Sequence, residues 1–378
     1  MSRSKTVKSV EVALVRAILP KPIDFGAWKM THREYAVVQV SCNDGMKGQS
    51  FGLTRDGAIL EQIEKSIANK YVGTQLDARE ETYWQTKRSN LSTHSNGVGL
   101  RSLSLVDLAI WDLAAKSEDK SISELLGGNC KPMPATAIVG YPPSEITIQD
   151  LDEQIRLLLA ANWKRFKLPY SITPEVTAEK LARIRKLAPD AWVGCDAAWR
   201  FSKSEDALEF LALVENLNLS WLEDVFAPGE ITELVKLKSL TNIPIAMGDE
   251  QGGSYFPQAL ISSAASDVIR FDLTCMGGIT EMRDPINQLA SEGKQLSPHM
   301  FAHVHSQVLS ALGHTDLPIE WGVPWTGVDP YSDSLIAPVI DADGRMLPLP
   351  QGPGFNELLN RQWISQQEIH DPHGILAW

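Results

Sequence analysis

The sequence predicts an α/β protein, a (β/α)8-type barrel preceded by a smaller unit of mixed α and β structure. Three observations lead there. After residue 131, short apolar segments alternate with amphipathic helices. Those segments repeatedly end in an acid or a histidine. The first third of the chain lacks the alternation and reads as strands followed by helices. At 378 residues the chain is longer than one ordinary domain and suits a large barrel with an addition.

The N-terminal unit opens with two alternating stretches, "SVEVALVRAIL" and "EYAVVQVSC", separated by a Pro- and Gly-containing segment, "PKPIDFGAWKMTHR", that reads as a loop. "NDG" after the second stretch is a turn signal, so the strands form an antiparallel meander. From about residue 56 to 126 the period becomes helical. Leu103, Val106, Ile110, Leu113 and Ala114 fall on one helical face, and Gly127 with Gly128 ends the stretch. The barrel strands are then "ATAIVGY", "RFKLPY", "WVGCDAAW", "SWLEDVF", "IPIAMGDE", "DVIRFDL", "KQLSPHM" and "PIEWG", with helices such as "TAEKLARIRKLA" between them. A doubly wound open sheet would alternate too, but no Gly-x-Gly-x-x-Gly phosphate turn is present.

Composition excludes several classes. With 43% apolar and 22% charged residues and no long uninterrupted apolar run, the chain reads as a soluble globular protein without membrane spans. Glu11 and Arg16 interrupt the only N-terminal stretch resembling a signal core, so a cytoplasmic protein is expected. The formal charge of −12 and the lack of a basic block leave no electrostatic footprint for nucleic acid. Cys42, Cys130, Cys195 and Cys275 are widely spaced, which argues for reduced, packed thiols rather than a disulfide framework or a zinc ribbon.

The chemistry is written at the strand ends. Asp196, Glu223, Asp249 with Glu250, Asp272, His299 and Glu320 close successive strands, and in a barrel these positions converge on the one face where βα loops build a site. Three carboxylates within about 4 Å repel by roughly 4 kcal/mol per pair at an effective dielectric near 20. A cation relieves this, and oxygen-only ligands from Asp196, Glu223 and Asp249 suit a hard ion such as Mg2+. A salt-bridge network to Arg165, Lys167 and Arg270 is the structural alternative. Parity along the strands turns Lys167 and Arg165 inward together, places Arg270 as a buried charge partner beside Asp272, and turns Glu250 away from the barrel axis. His303 and His305 follow His299 on a helical segment and read as ordinary helix histidines rather than a second metal site.

These residues and their order resemble the enolase superfamily, in particular its mandelate racemase subgroup. "SLVDLAIWDLAAKSEDKSISELLGG" is similar to that family's capping-domain helix, and "FDLTCMGGITE" to its sixth-strand motif. The resemblance implies a modified TIM-type barrel, (β/α)7β, at residues 131–344. It also implies an α+β capping domain at residues 1–130, with the C-terminal segment 345–378 packing against it. The implied chemistry is removal of a proton α to a carboxylate, with Mg2+ balancing the enediolate charge. His299 would be the base, Asp272 would hold its tautomer, Lys167 would be a second base or an electrostatic group, and Glu320 would be a protonated acid on a carboxylate oxygen.

The chain departs from the family pattern at Arg165, where a lysine is usual, and at Ala198, where asparagine is common. An arginine at 165 is expected to clamp a carboxylate or lower the pKa of Lys167. Trp28, Lys29, His32 and Arg33 lie where family members close a lid, and Trp28 and His32 are expected to bind substrate. The leading functional expectation is a Mg2+-dependent acid-sugar dehydratase, a homo-oligomer acting on a small carboxylate. Racemase, epimerase or cycloisomerase chemistry through the same enediolate is the alternative, and a metal-stabilised binding protein without catalysis is a third reading.

Overall fold

The computed structural model of the chain describes residues 5–25, 28–323, 328–331, 337–349, 351–356 and 359–377. The N-terminal unit is built on β1 (Val7–Asp24), β2 (Lys29–Cys42) and β3 (Lys47–Leu53), all antiparallel. Alternation sets the two faces of this sheet. Val10, Val12, Val38 and Val40 bury into a cluster with Ile59 and Val106, whereas Val15, Ala17, Tyr35 and Val37 join the large core shared with the barrel.

The segment expected to be a loop between the first two strands is largely strand, because β1 and β2 remain paired from Val7 opposite Cys42 to Asp24 opposite Lys29. Pro20 and Pro22 do not prevent this, since they fall in the break in the ladder between Ile18 and Ile23, where no N–H is required. Gly26 and Ala27, also in that segment, lie outside the described residues.

The helix Gly97–Ser117 carries the sheet on the barrel. Asn96 caps it by accepting from the Gly97 N–H. Leu103, Val106, Ile110, Leu113 and Ala114 face the sheet cluster, while Leu108, Trp111 and Ala115 face the barrel core. Contact with β3 requires a glycine: a Cβ on Gly48 would stand 2.3 Å from the Ala109 carbonyl oxygen and 2.5 Å from the Leu113 backbone nitrogen. Gly48→Ala is therefore expected to destabilise the protein by about 1–3 kcal/mol through overpacking. An unchanged thermal midpoint would contradict this packing distance.

Each of the eight apolar segments forms a parallel strand: β4 (Met133–Ile138), β5 (Arg165–Pro169), β6 (Trp192–Asp196), β7 (Trp221–Glu223), β8 (Ile245–Met247), β9 (Val268–Phe271), β10 (Gln295–Pro298) and β11 (Ile319–Gly322). They run in order from β4 to β10 with β11 against β4, giving a nearly closed barrel whose seam lies between β10 and β11. The chain then returns. β12 (Arg345–Met346) pairs antiparallel with β4, and β13 (Glu368–His370) adds to the outer edge of β1. Between them, the Phe355 N–H donates to Asp112 of the long helix at 2.8 Å. Residues 350, 357, 358 and 378 of this segment lie outside the described residues. No helix among the described residues is long and apolar enough to cross a membrane.

Candidate active site

At the C-terminal ends of the strands, beneath the N-terminal sheet, lies a cavity of about 650 Å³. Lys167, Asp196, Asp224, Asp249, Glu250 and His299 are among its lining residues. The backbone just past four strands adopts left-handed conformations on non-glycine residues: Ala198 and Trp199, Asp224, Glu250, and Met300 with Phe301. Such residues cost roughly 1–3 kcal/mol each and collect at functional sites. Here they turn the loops so that side chains just beyond the strands face the mouth.

The floor is an acid cluster held by two cations. Asp196 and Glu223 are register partners on neighbouring strands. Lys167 Nζ lies 2.9 Å from Glu223 Oε1, 2.7 Å from Glu320 Oε1 and 3.8 Å from Asp196 Oδ2. Arg270, fully buried, places Nε 2.9 Å from Asp249 Oδ1 and Nη2 3.2 Å from Glu223 and 2.7 Å from Glu320. This bears out its reading as an internal charge partner. Burial raises the pKa of Glu223 well above the usual carboxylate range, and repulsion from Asp196 and Asp249 adds to this against the pull of Arg270 and Lys167. Burial likewise raises Asp196, with Lys167 opposing and Asp249 adding to the shift. Asp224 rises for the same reason, burial first and then repulsion from Asp249, Glu223 and Asp196.

This cluster fits a hard divalent cation. Glu223 Oε2 and Asp224 Oδ1 are buried without a hydrogen-bond partner, and every donor is an oxygen. Among the described residues the donor atoms that converge to within 4.8 Å of one another are those of Glu250, Asp272 and His299, and not those of Asp196, Glu223 and Asp249. Both sets already have partners: Arg55 and Arg101 hold Glu250, Thr274 and His299 hold Asp272, and Lys167 and Arg270 hold Glu223 and Asp249. The first set is the better match to a hard cation in donor chemistry alone, since it is all oxygen and keeps two unpartnered buried oxygens.

The second group is a dyad. His299 Nδ1 is 3.1 Å from Asp272 Oδ2, while Asp272 Oδ1 accepts from the Thr274 N–H at 2.7 Å and its hydroxyl at 2.8 Å. Asp272 is thus fixed on both sides. Burial alone would lower the pKa of His299, but Asp249, the hydrogen bond to Asp272 and Glu250 outweigh it and raise it to about 9. His305 is neutral, since its Nε2 accepts from the Leu273 N–H at 3.1 Å while Nδ1 meets the Met300 carbonyl at 2.8 Å. His303 stacks on Phe51, and burial pushes it down to about 3. Both are packed helix histidines.

Several expectations need correction. Arg165 does not reach the cavity: two residues before Lys167 it sits one layer deeper, with Nε on Thr136 at 3.1 Å and its guanidinium 4.1 Å from the Trp192 ring centre. Nor does it lower the pKa of Lys167. Burial does oppose that charge, but Glu223 and Glu320 raise the ammonium above the ordinary lysine value, and the cation opposing them is Arg270. Glu320 is not a protonated acid, because Arg270 and Lys167 overcome its burial and hold it well below the usual range.

On the cap, Trp28 lines the cavity, stacked on Phe25 at 4.5 Å. His32 does not: it belongs to the outer face of β2 and pairs with Asp56 at 2.8 Å, while the adjacent Arg33 takes the inner face. Lys29 also lines the cavity, from an exposed position.

Glu250 turns into the site because strand parity ends at Met247, and the positive φ of Gly248 and of Glu250 itself resets its direction. Arg55, just past β3, and Arg101 on the long helix both grip it, and its carboxylate lies 3.7 Å from His299 Nδ1. Burial would raise this acid, but the two arginines hold it well below the usual range. The two cap arginines and Asp224 were missed from the sequence. For Asp224 the signal was its adjacency to Glu223 in "LSWLED".

Comparison with known proteins bears on the family and the fold. Residues 150–362 match the family described as enolase C-terminal domain-like, and residues 8–127 match the mandelate racemase / muconate lactonizing enzyme N-terminal domain. The chain is 22% identical, over 97% of its length and all of the relative's, to D-galactarolactone cycloisomerase of Agrobacterium fabrum. It is 23% identical to arabinonate dehydratase of Saccharolobus solfataricus, covering 85% of this chain and 87% of that one. Among solved structures, L-talarate/galactarate dehydratase from Salmonella typhimurium LT2, liganded with Mg and L-lyxarohydroxamate, superposes with a TM-score of 0.83 at 18% identity, covering 98% of this chain and 95% of that one.

Proposed function

The chain belongs to the mandelate racemase / muconate lactonizing group of the enolase superfamily, and from that premise we propose that it is a Mg2+-dependent dehydratase of a sugar acid. The observation that supports this reading is the His299–Asp272 dyad facing the cavity opposite a lysine already committed to carboxylates. Dehydration needs one group that first accepts a proton and then returns it, and His299 suits both steps.

In this reading Asp196, Glu223 and Asp249 hold Mg2+, which supplies positive charge to the substrate carboxylate as negative charge develops there. Asp224 stands beside them as a fourth oxygen source. Lys167 adds a fixed ammonium charge on the cavity floor. With Asp249 neutralised by the cation, the first of the charges that raise His299 would be removed, and His299 in its neutral form takes the proton from C2 at Nε2 while its Nδ1–H stays donated to Asp272. The C3–O bond then breaks, the imidazolium returns its proton to the departing oxygen, and water leaves. The remaining enol tautomerises to a 2-keto-3-deoxy acid.

Racemisation, epimerisation or cycloisomerisation is the second reading, and the presence of Lys167 in the cavity favours it, because a second base there would serve the opposite face of the substrate. Product analysis separates them. Incubation of Mg2+-loaded enzyme with a panel of aldonic and aldaric acids is expected to yield a 2-keto-3-deoxy acid. Recovery of the starting connectivity, with deuterium at C2 when run in D2O and no keto acid, would establish the second reading instead.

A further inference from the structure

Arg33 stands out among the cavity's cations. It lies on the barrel-facing side of β2 and lines the cavity with 8% of its surface exposed. Its Nη2 donates to the Val328 carbonyl at 3.2 Å, and its buried Nε has no hydrogen-bond partner among the described residues. No carboxylate among the described residues comes within 4.0 Å of it, and Asp329, next to its acceptor, is engaged by the Tyr35 hydroxyl. Other cations of the cavity are committed: the exposed Arg55 and the buried Arg101 to Glu250, and the buried Lys167 to Glu223 and Glu320. Burial and the nearby Arg55 disfavour the charge on Arg33 more than Tyr35, Tyr141 and Asp329 favour it. A guanidinium so placed, with one hydrogen bond and no ion pair among the described residues, has capacity left for an anion.

Arg33 also enters the cavity from a different part of the fold than the acid floor. It belongs to the cap, whereas Lys167, Asp196 and Asp249 belong to the strand ends. Phe25, Trp28 and Met30 supply apolar wall near Arg33 and no competing anion.

We propose that Arg33 binds a second carboxylate at the end of the substrate remote from the reacting carbon, so that the substrate is a dicarboxylic sugar acid rather than an aldonic acid. This rests on the reading of the site as a sugar-acid dehydratase. A planar guanidinium matches a carboxylate in both charge and geometry, and a charged hydrogen bond in a buried site discriminates by roughly 10- to 100-fold.

The test uses Mg2+-loaded protein and three probes of equal chain length: an aldaric acid, the aldonic acid, and the aldonic acid phosphorylated at its terminal carbon. Dissociation constants come from calorimetry and kcat/KM from turnover, for wild type, Arg33→Gln and Arg33→Lys, with each variant's fold confirmed by thermal unfolding. The aldaric acid is expected to win over the aldonic acid by roughly 10- to 100-fold in wild type. That ratio should collapse towards one in Arg33→Gln and survive in part in Arg33→Lys. Equal affinity for aldaric and aldonic acids in wild type, or a ratio unmoved by Arg33→Gln, overturns the proposal. Preference for the phosphorylated acid overturns the carboxylate assignment. Arg33-dependent binding of the diacid without dehydration sinks the dehydratase reading and leaves the role of Arg33 standing. If none of the probes binds, both fall.

Discussion

Exhaustive removal of divalent metal is expected to abolish turnover, by at least about 10³-fold, and Mg2+ alone to restore it. The reason is electrostatic. Asp196, Asp224 and Asp249 line the cavity with Glu223 buried beside them, and burial plus mutual repulsion already raise Asp196, Glu223 and Asp224. A substrate carboxylate that gains further negative charge at C2 would enter this acid cluster with only Lys167 and Arg270 to offset it. Those two cations bridge Glu223, Asp249 and Glu320 and are expected to keep the metal-free protein folded. Chelation should therefore lower the thermal midpoint without unfolding the chain at room temperature, and Mg2+ should raise it again in a concentration-dependent way.

Asp249→Asn should weaken Mg2+ affinity more than Glu250→Gln. Glu250 does not turn away from the barrel axis as strand parity predicts, since it lines the cavity. What protects the comparison is that the oxygens of Glu250 are spent on Arg55 and Arg101. Glu250→Gln should instead cost stability, because the buried Arg101 guanidinium loses its carboxylate and Arg55 loses its partner. Full activity after chelation, with metal content verified, would sink the metal assignment.

What could be read from the sequence follows the range of the interactions involved. Strand-end residues were legible because barrel strands recur at regular intervals and alternation fixes which neighbour faces in, which placed Lys167, Asp196, Asp249 and His299 around one cavity. The same rule failed three residues past the end of β8, where left-handed backbone at Glu250 redirects the side chain. It also failed for Arg165, since inward-facing positions two apart occupy different layers and only the upper layer meets the cavity.

On the cap, the Pro/Gly segment read as a loop concealed the fact that β2 begins at Lys29. Recognised as a strand, it would have assigned Arg33 and not His32 to the inner face. The bonds from Arg55 and Arg101 to Glu250 join residues 195 and 149 positions apart, and nothing local announces them. Glu320 was misjudged for a related reason: its ionisation depends on Lys167 and Arg270, contributed by two other strands.

The dyad carries the second large effect. His299→Asn is expected to eliminate proton transfer while leaving substrate binding near wild type, because the anion-binding groups lie on other strands and on the cap. Asp272→Asn should be nearly as severe, about 10⁴-fold, by analogy with the orienting acid of serine-protease triads, and the hydrogen bonds here say why. Oδ1 of Asp272 accepts from the Thr274 backbone N–H, a group that can only donate. An asparagine must therefore place its oxygen there, which turns its NH2 towards His299 Nδ1. The imidazole then has to accept at Nδ1 and carry its proton on Nε2, the nitrogen that should take the proton from C2. The variant should keep its fold and bind Mg2+, show the Nε2–H tautomer by nitrogen-15 NMR of His299, and lose C2 deuterium exchange together with product formation. Turnover within tenfold of wild type in Asp272→Asn, or an unchanged tautomer, would show that Asp272 does not orient the base.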